Sequence, residues 1–283
     1  MKAALFSGSE PAQDVAPETG GAQAVGRALS LLSLVGRGGA EGMGLAELSQ
    51  TAGLARPTAR RLLLALGAAR LVDQDRQTRR YHLGPEAFLL GHFAEDRHGM
   101  PVQTREAMLR LARESGDTVL LTVPQDDHTL CLERIEGAYP VRTHALMRGD
   151  RKPAGVGAGA LALLAALPDA EARILIQRAR PEIEAINAAL YTNIDQEVVQ
   201  ARQLGYALNP GRVVPGSWGL GMAFLWPDGR PAGAISLAAI EDRMRPERRP
   251  MLIAALRREI TLIEGKLAAL GNFHSSEHRK GTP

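Results

Sequence analysis

Residues 45–66 read LAELSQTAGLARPTARRLLLAL, and the spacing of their apolar side chains decides the fold of this part of the chain. Leu45 and Leu48 stand three apart and turn to one side of a short helix expected over Leu45–Ala52. Gly53 follows at the position where a left-handed C-terminal cap is favoured. Pro57 suits the first turn of the next helix, where a backbone N–H would have no intrahelical acceptor anyway. At roughly 100° per residue, Ala59, Leu62, Leu63 and Leu66 fall on one side of that second helix, with Pro57, Arg60 and Arg61 about opposite. The apolar side docks and the arginine side faces out. Two short helices joined by a Gly-containing turn form a helix-turn-helix pattern.

The flanks complete a compact unit. Upstream, Val25, Ala28, Leu29, Leu32 and Val35 recur at three and four residues, as on one helix face, and Gly36, Gly38 and Gly39 end that helix. Downstream, Leu71–Val72 reads as a strand, Asp73–Arg79 as a turn and Arg80–Leu83 as a return strand, which together make a wing. In a helix-turn-helix the second helix enters the major groove with its N-terminal residues against base edges. Arg56, Pro57, Thr58, Arg60 and Arg61 occupy that place, and Arg79 and Arg80 at the wing would reach phosphates or the minor groove.

Charge agrees with this reading only when taken locally. The chain has 283 residues, with 34 Lys plus Arg against 31 Asp plus Glu, a net charge of +3. That balance says little about nucleic acid. Between Arg56 and Arg80, however, seven arginines (56, 60, 61, 70, 76, 79, 80) face two acids, Asp73 and Asp75. Such clustering is what phosphate contacts require, although a solvated face or a protein-contact module would carry it too. The alternative to a DNA reader is therefore a sensor module whose trihelical unit contacts protein.

Beyond the wing the texture changes. Pro85–His98 reads as a linking helix, and a further helix starting at Pro101 turns Met108, Leu111 and Ala112 inward. Strands are expected near Thr118–Val123, Thr129–Ile135 and Val141–Met147, then helices near Gly159–Leu167, Ala170–Ala179 and Asp195–Leu204. Strands at Gly219–Trp226 and Ala232–Ala239 are joined by Pro227-Asp228-Gly229, a strong hairpin signal. A closing amphipathic helix carries Leu252, Leu256, Ile260, Ile263 and Leu267. This order implies an α+β chain: a winged helix-turn-helix at 22–84, a linker helix at 85–100 and an α/β sensor domain with a largely antiparallel sheet at 101–270. Residues 1–21 and 271–283 lack apolar periodicity and read as disordered tails.

Several function classes are excluded. The single cysteine, Cys131, has no partner in the chain and fits a reducing, cytoplasmic setting. No run of apolar residues is long enough to span a membrane or to form a secretory signal core. HExxH, GxSxG, P-loop and CxxC motifs do not occur, so no enzyme, metal or cofactor is expected. Gly155, Gly157 and Gly159 could hold an anion at the start of an apolar helix. They are not a dinucleotide fingerprint, because Arg148–Lys152 (RGDRK) precedes them where a buried strand is required. A glycine-rich loop serving close packing is the plainer alternative.

At this point the sequence resembles a known family. Val25–Leu34 (VGRALSLLSL), residues 45–66 and Leu71–Gly91 (LVDQDRQTRRYHLGPEAFLLG) are similar, element after element, to the winged helix of IclR-type transcriptional regulators. Thr58 and Arg61 match the threonine and arginine that open the family's recognition helix, and Tyr81, Leu83 and Gly84 match the end of its wing. Similarity continues in Pro153–Pro168 (PAGVGAGALALLAALP), Gly205-Tyr206-Ala207 and Ala232–Ala238 (AGAISLA), over roughly residues 22–270. The resemblance implies a GAF-like sensor, a homodimer or homotetramer on a pseudo-palindromic operator, and control by a small organic effector. It leaves repression or activation open. By the same resemblance the effector contacts Val141, His144, Ala158, Gly159 and Ser236, with His144 either a cation for an acidic ligand or a satisfied polar side chain. Where relatives usually have glycine in the wing turn, this chain has Arg79. Gly219, Gly221 and Ala223 alternate on one strand face and predict a roomier pocket, for a larger effector such as an aromatic acid.

Overall fold

A computed structural model describes residues 20–98 and 100–277 of the chain. It divides into two compact units between His98 and Gly99. The assigned tails at 1–19 and 278–283 lie outside the described residues.

In the first unit, helix α1 spans Gly20–Arg37, α2 Leu45–Thr51 and α3 Arg56–Ala68. Strands β1 (Val72–Gln74) and β2 (Tyr81–Leu83) pair antiparallel, and α4 follows at Pro85–His98. The expected apolar stripes meet: Leu31 and Val35 of α1, Leu48 of α2, and Ala59, Leu62, Leu63 and Leu66 of α3 are buried together with Val72 and Tyr81. Gly53 has φ +62°, the left-handed cap that turns α2 into α3. The linker helix α4 belongs to this unit and is anchored where Glu86 N–H donates to Arg70 O at 3.1 Å.

The second unit is a six-stranded sheet covered on both faces. Helix α5 (Met100–Ser115) leads into β3 (Thr118–Gln125), β4 (His128–Ile135) and β5 (Arg151–Pro153). Helices α6 (Ala158–Ala166) and α7 (Asp169–Leu204) follow, then β6 (Ala207–Pro210), β7 (Ser217–Leu225), β8 (Pro231–Ile240) and α8 (Arg249–Glu277). Strand order is β5-β4-β3-β8-β7-β6, every pair antiparallel. One face packs on α5 and α8 through Met108, Leu111, Leu121, Phe224, Leu237 and Leu256. The other packs on α6 and α7 through Leu164, Ile176, Ile183, Ile194 and Ala234.

Four details depart from the sequence reading. Val141–Met147 is irregular, and Arg151–Pro153 takes the edge position instead, pairing Lys152 with Thr129. An edge strand tolerates Pro153 because one side of its backbone needs no ladder partner. The two helices expected at Ala170–Ala179 and Asp195–Leu204 form one span, broken at Asn187, whose φ −168° and ψ 114° are extended. Asn187 Oδ1 accepts the Ala189 N–H at 3.0 Å and so restarts the helix early. Strand β6 was not anticipated; four residues ending in Pro210 offer too little alternation. At the ends, Gly20 and Gly21 lie in α1 and residues 271–277 in α8, so these parts of the assigned tails are helical. A single glycine such as Gly271 costs a helix only about 1 kcal/mol.

Candidate functional site

Two surfaces carry chemistry. In the first unit, Pro57 occupies the first turn of α3, which fixes how the helix starts. Arg56, Arg60 and Arg61 are exposed, Thr58 is half-buried, and none of the four side chains has a partner among the described residues. Their guanidinium groups are free to reach base edges or phosphates.

The wing is more rigid than its sequence suggests. Asp75 Oδ1 accepts the N–H groups of Thr78 (2.6 Å) and Gln77 (2.9 Å) and the Thr78 hydroxyl (2.8 Å). The Thr78 backbone N–H, then its hydroxyl, holds the Asp75 carboxyl below the usual carboxylate range. Arg79 N–H donates to Asp75 O at 3.0 Å, and Gln74 Nε2 donates to Arg79 O at 2.9 Å. Arg79 accordingly sits at φ +59°, the left-handed region that favours glycine. Its side chain is exposed and unpartnered, as is that of Arg76, which the sequence reading counted in the basic excess but did not single out. Arg80 is placed differently. Its Nε donates to Glu41 O at 2.7 Å and its Nη2 to Gly42 O at 2.9 Å, with Glu47 Oε2 at 3.5 Å, so it brackets the wing to the turn before α2. Only the path of the chain could reveal that bracket, since 38 residues separate Arg80 from Gly42.

The second surface is a cavity of about 60 Å³ between the sheet and the start of α6. Val156, Gly157, Ala158, Gly159 and Ala160 form one wall. With Gly157 at φ +98° and no side chain capping α6, the first-turn N–H groups have no protein cap. Opposite stand Thr122, Ser217 and Ser236, each at least nine-tenths buried, whose hydroxyls have no partner among the described residues. Thr122 and Ser236 face the helix: a Cβ on Gly159 would stand 2.9 Å from Thr122 Oγ1 and 3.5 Å from Ser236 Oγ. Donors of this kind around a helix N-terminus hold an anion such as a carboxylate.

The expected site residues separate. Ala158, Gly159, Gly219 and Ser236 line the cavity together. Gly221 does not add room: a Cβ there would lie 2.8 Å from Ala158 O and 3.1 Å from Gly159 N, so its missing side chain seats α6 on the sheet. Val141 and His144 lie exposed in the irregular loop, and the cavity is roofed instead by Ala145 and Leu146. The cation in the wall is Lys152. Cys131 lines the cavity as well, its thiol pushed up to about 12 by burial and, less, by Asp150, so it stands there as a neutral group. Lys152, Thr122, Cys131 and Ser217 were missed because strand register, not motif, brings them to one face.

Known proteins match the chain over both units. The model of the IclR helix-turn-helix domain matches residues 24–76, and that of the bacterial transcriptional regulator IclR C-terminal region matches 93–263, more than half of the chain. The chain is 28% identical over 242 residues to the HTH-type transcriptional regulator BhcR of Paracoccus denitrificans, covering 82% of this chain and 83% of that one. It is also 28% identical over 268 residues to the transcriptional repressor IclR of Escherichia coli, covering 91% and 96%. Among solved structures, an IclR-type regulator from Alicyclobacillus acidocaldarius superposes with a TM-score of 0.70 at 21% identity, covering 87% of this chain and 98% of that one. An IclR homolog from Microbacterium hydrocarbonoxydans complexed with 4-hydroxybenzoate gives 0.67 at 18%, covering 87% and 99%. Among the described residues no helix is long and apolar enough to cross a membrane. The chain belongs to the IclR family, as a DNA-binding transcriptional regulator and not an enzyme, with a winged helix-turn-helix before an effector-binding domain.

Proposed function

We propose that this protein is a cytoplasmic repressor that holds a pseudo-palindromic operator as a homodimer or homotetramer and lets go when a small organic acid of a catabolic pathway occupies its sensor cavity. The observation that carries the effector class is the pair of unpartnered hydroxyls, Thr122 and Ser236, turned onto the uncapped start of α6. Buried hydroxyls without partners are costly, and a bound carboxylate would satisfy them together with the helix N–H groups. On the DNA side, Arg56, Arg60 and Arg61 of α3 have no partner among the described residues and would meet the bases or phosphates, with Arg79 as a wing contact. Repression is supported by the name of the Escherichia coli relative. A short-chain acid fits the enclosed space as it stands. The aromatic acid expected from the β7 glycines would require the cavity to widen where Ala145 and Leu146 line it, because about 60 Å³ is well short of the roughly 150 Å³ of a cavity that takes benzene.

The test is a gel shift on the DNA flanking the coding region, with a salt titration and a panel of aliphatic and aromatic acids. A specific complex that weakens steeply with salt and dissociates with one class of acid supports the proposal. Sequence-indifferent binding at every salt concentration would favour a sensor module whose trihelical unit contacts protein.

A further inference from the structure

We propose that the effector carries two acidic ends, one held at the start of α6 and the other by the Lys152 ammonium; this rests on the reading of the cavity as an effector site. Lys152 is the charged residue of the cavity wall, and among the described residues its Nζ has no ion-pair or hydrogen-bond partner. The other unpaired cations of this unit, Arg148, Arg151 and Arg173 among them, are exposed, whereas Lys152 is half-buried and lines the cavity. Arg105 pairs with Glu133 at 3.2 Å, Arg110 with Glu259 at 2.8 Å and Lys266 with Glu106 at 2.9 Å. A half-buried lysine that lines a cavity and has no counter-ion carries a charge available to an acid bound there.

Register sets the span between the two anchors. Thr122 pairs with Cys131 across β3 and β4, and Thr129, two residues along, pairs with Lys152 across β4 and β5. Residues two apart on a strand share a face, so Cys131, Thr129 and Lys152 continue the surface that begins at Thr122. Two strand spacings across and two residues along put the Thr122 and Lys152 Cα atoms about 12 Å apart. The flexible four-carbon stem of lysine can lean from there towards Thr122, and a short carbon chain with a carboxylate at each end would bridge the rest. The ground between suits it: Leu146 and Ala145 are apolar, and the Cys131 thiol, pushed up to about 12, is no competing anion. Because Lys152 is only half-buried, the second carboxylate would sit at the mouth, outside the most enclosed volume.

Calorimetric titration of the full chain with succinate, butyrate and 4-hydroxybenzoate tests this. Wild type should bind succinate at least about tenfold more tightly than butyrate, the effect of one charge-assisted hydrogen bond. Lys152→Met should bring the two acids to near equality, and Lys152→Arg should keep the preference, with thermal melting confirming that each variant folds. Equal binding of the two acids by wild type, or a succinate preference that survives in Lys152→Met, would overturn the inference while leaving a monoacid sensor standing. Binding of 4-hydroxybenzoate alone would do the same. If none of the three binds, the acid-sensor reading falls with it.

Discussion

Gly159 opens the first turn of α6 directly against Thr122: a methyl group there would stand 2.9 Å from Thr122 Oγ1 and 3.5 Å from Ser236 Oγ. That is packing distance, as at Gly221, so a side chain there would push Thr122 or the start of α6 aside at the cavity wall. Gly159→Ala should therefore lower affinity for the acid at least about tenfold in calorimetry. Thr122 is buried and its Cβ would also stand 3.3 Å away, so the crowding should cost about 1 kcal/mol or more and lower the melting temperature as well. Undiminished acid binding in a folded Gly159→Ala protein would place the effector elsewhere.

Arg79 occupies a backbone conformation that glycine adopts freely, with φ +59°. Arg79→Gly should thus relieve strain of about 1 kcal/mol and raise the melting temperature of the winged helix. The same change removes an exposed cation from the wing tip. The slope of log affinity for operator DNA against log salt should become shallower by about 0.9, the contribution of one phosphate contact. Greater stability with weaker, less salt-dependent binding is the paired outcome to look for; an unchanged slope would show that Arg79 touches no phosphate.

Arg80, one residue on, should behave in the opposite way. Its donors are occupied by Glu41 O and Gly42 O, which join the wing to the turn before α2. Arg80→Ala should destabilise the first unit by about 1 kcal/mol, a typical net loss for such hydrogen bonds when the side chain is partly exposed. Denaturant melts of Arg80→Ala and Arg61→Ala make the comparison. Arg61 has no partner among the described residues, so its loss should leave stability within about 0.5 kcal/mol and act on DNA affinity instead.

These contrasts mark where sequence alone was informative. Helical periodicity placed Leu31, Leu48, Leu63 and Leu66 in one core, because three and four residues along a helix are neighbours whatever surrounds them. The free arginines of α3 followed from the same wheel. Long-range pairing was not legible in that way. Nothing local tells that Arg151–Pro153 would take the sheet edge in place of Val141–Met147, and that choice puts Lys152 in the cavity wall and leaves His144 exposed. Gly221 likewise looked like spare room and proved to be the seat of α6, since a missing Cβ reads the same whether a ligand or a backbone fills the gap.

Cys131 offers a readout of the cavity without any operator or effector. In the folded chain burial, aided by Asp150, pushes its thiol up to about 12, whereas an unfolded cysteine loses its proton near pH 8.5. The raised folded value means that the stabilising contribution is complete below the unfolded pKa and is lost as pH climbs from about 9 towards 12, because only the unfolded chain releases the proton in that window. Each pH unit within it should cost roughly 1 kcal/mol. Lysine and tyrosine side chains titrate there too, so the measurement is the difference between wild type and Cys131→Ala in urea melts at pH 8, 9 and 10. The wild-type advantage should shrink with each step. At pH 8 the native thiol should also resist alkylation by iodoacetamide and react once the chain is unfolded, since the thiolate is the nucleophile. A constant difference in stability together with rapid native alkylation would mean that the thiol meets solvent, and the wall that Cys131 shares with Thr122 would then be open where the proposed acid has to be enclosed.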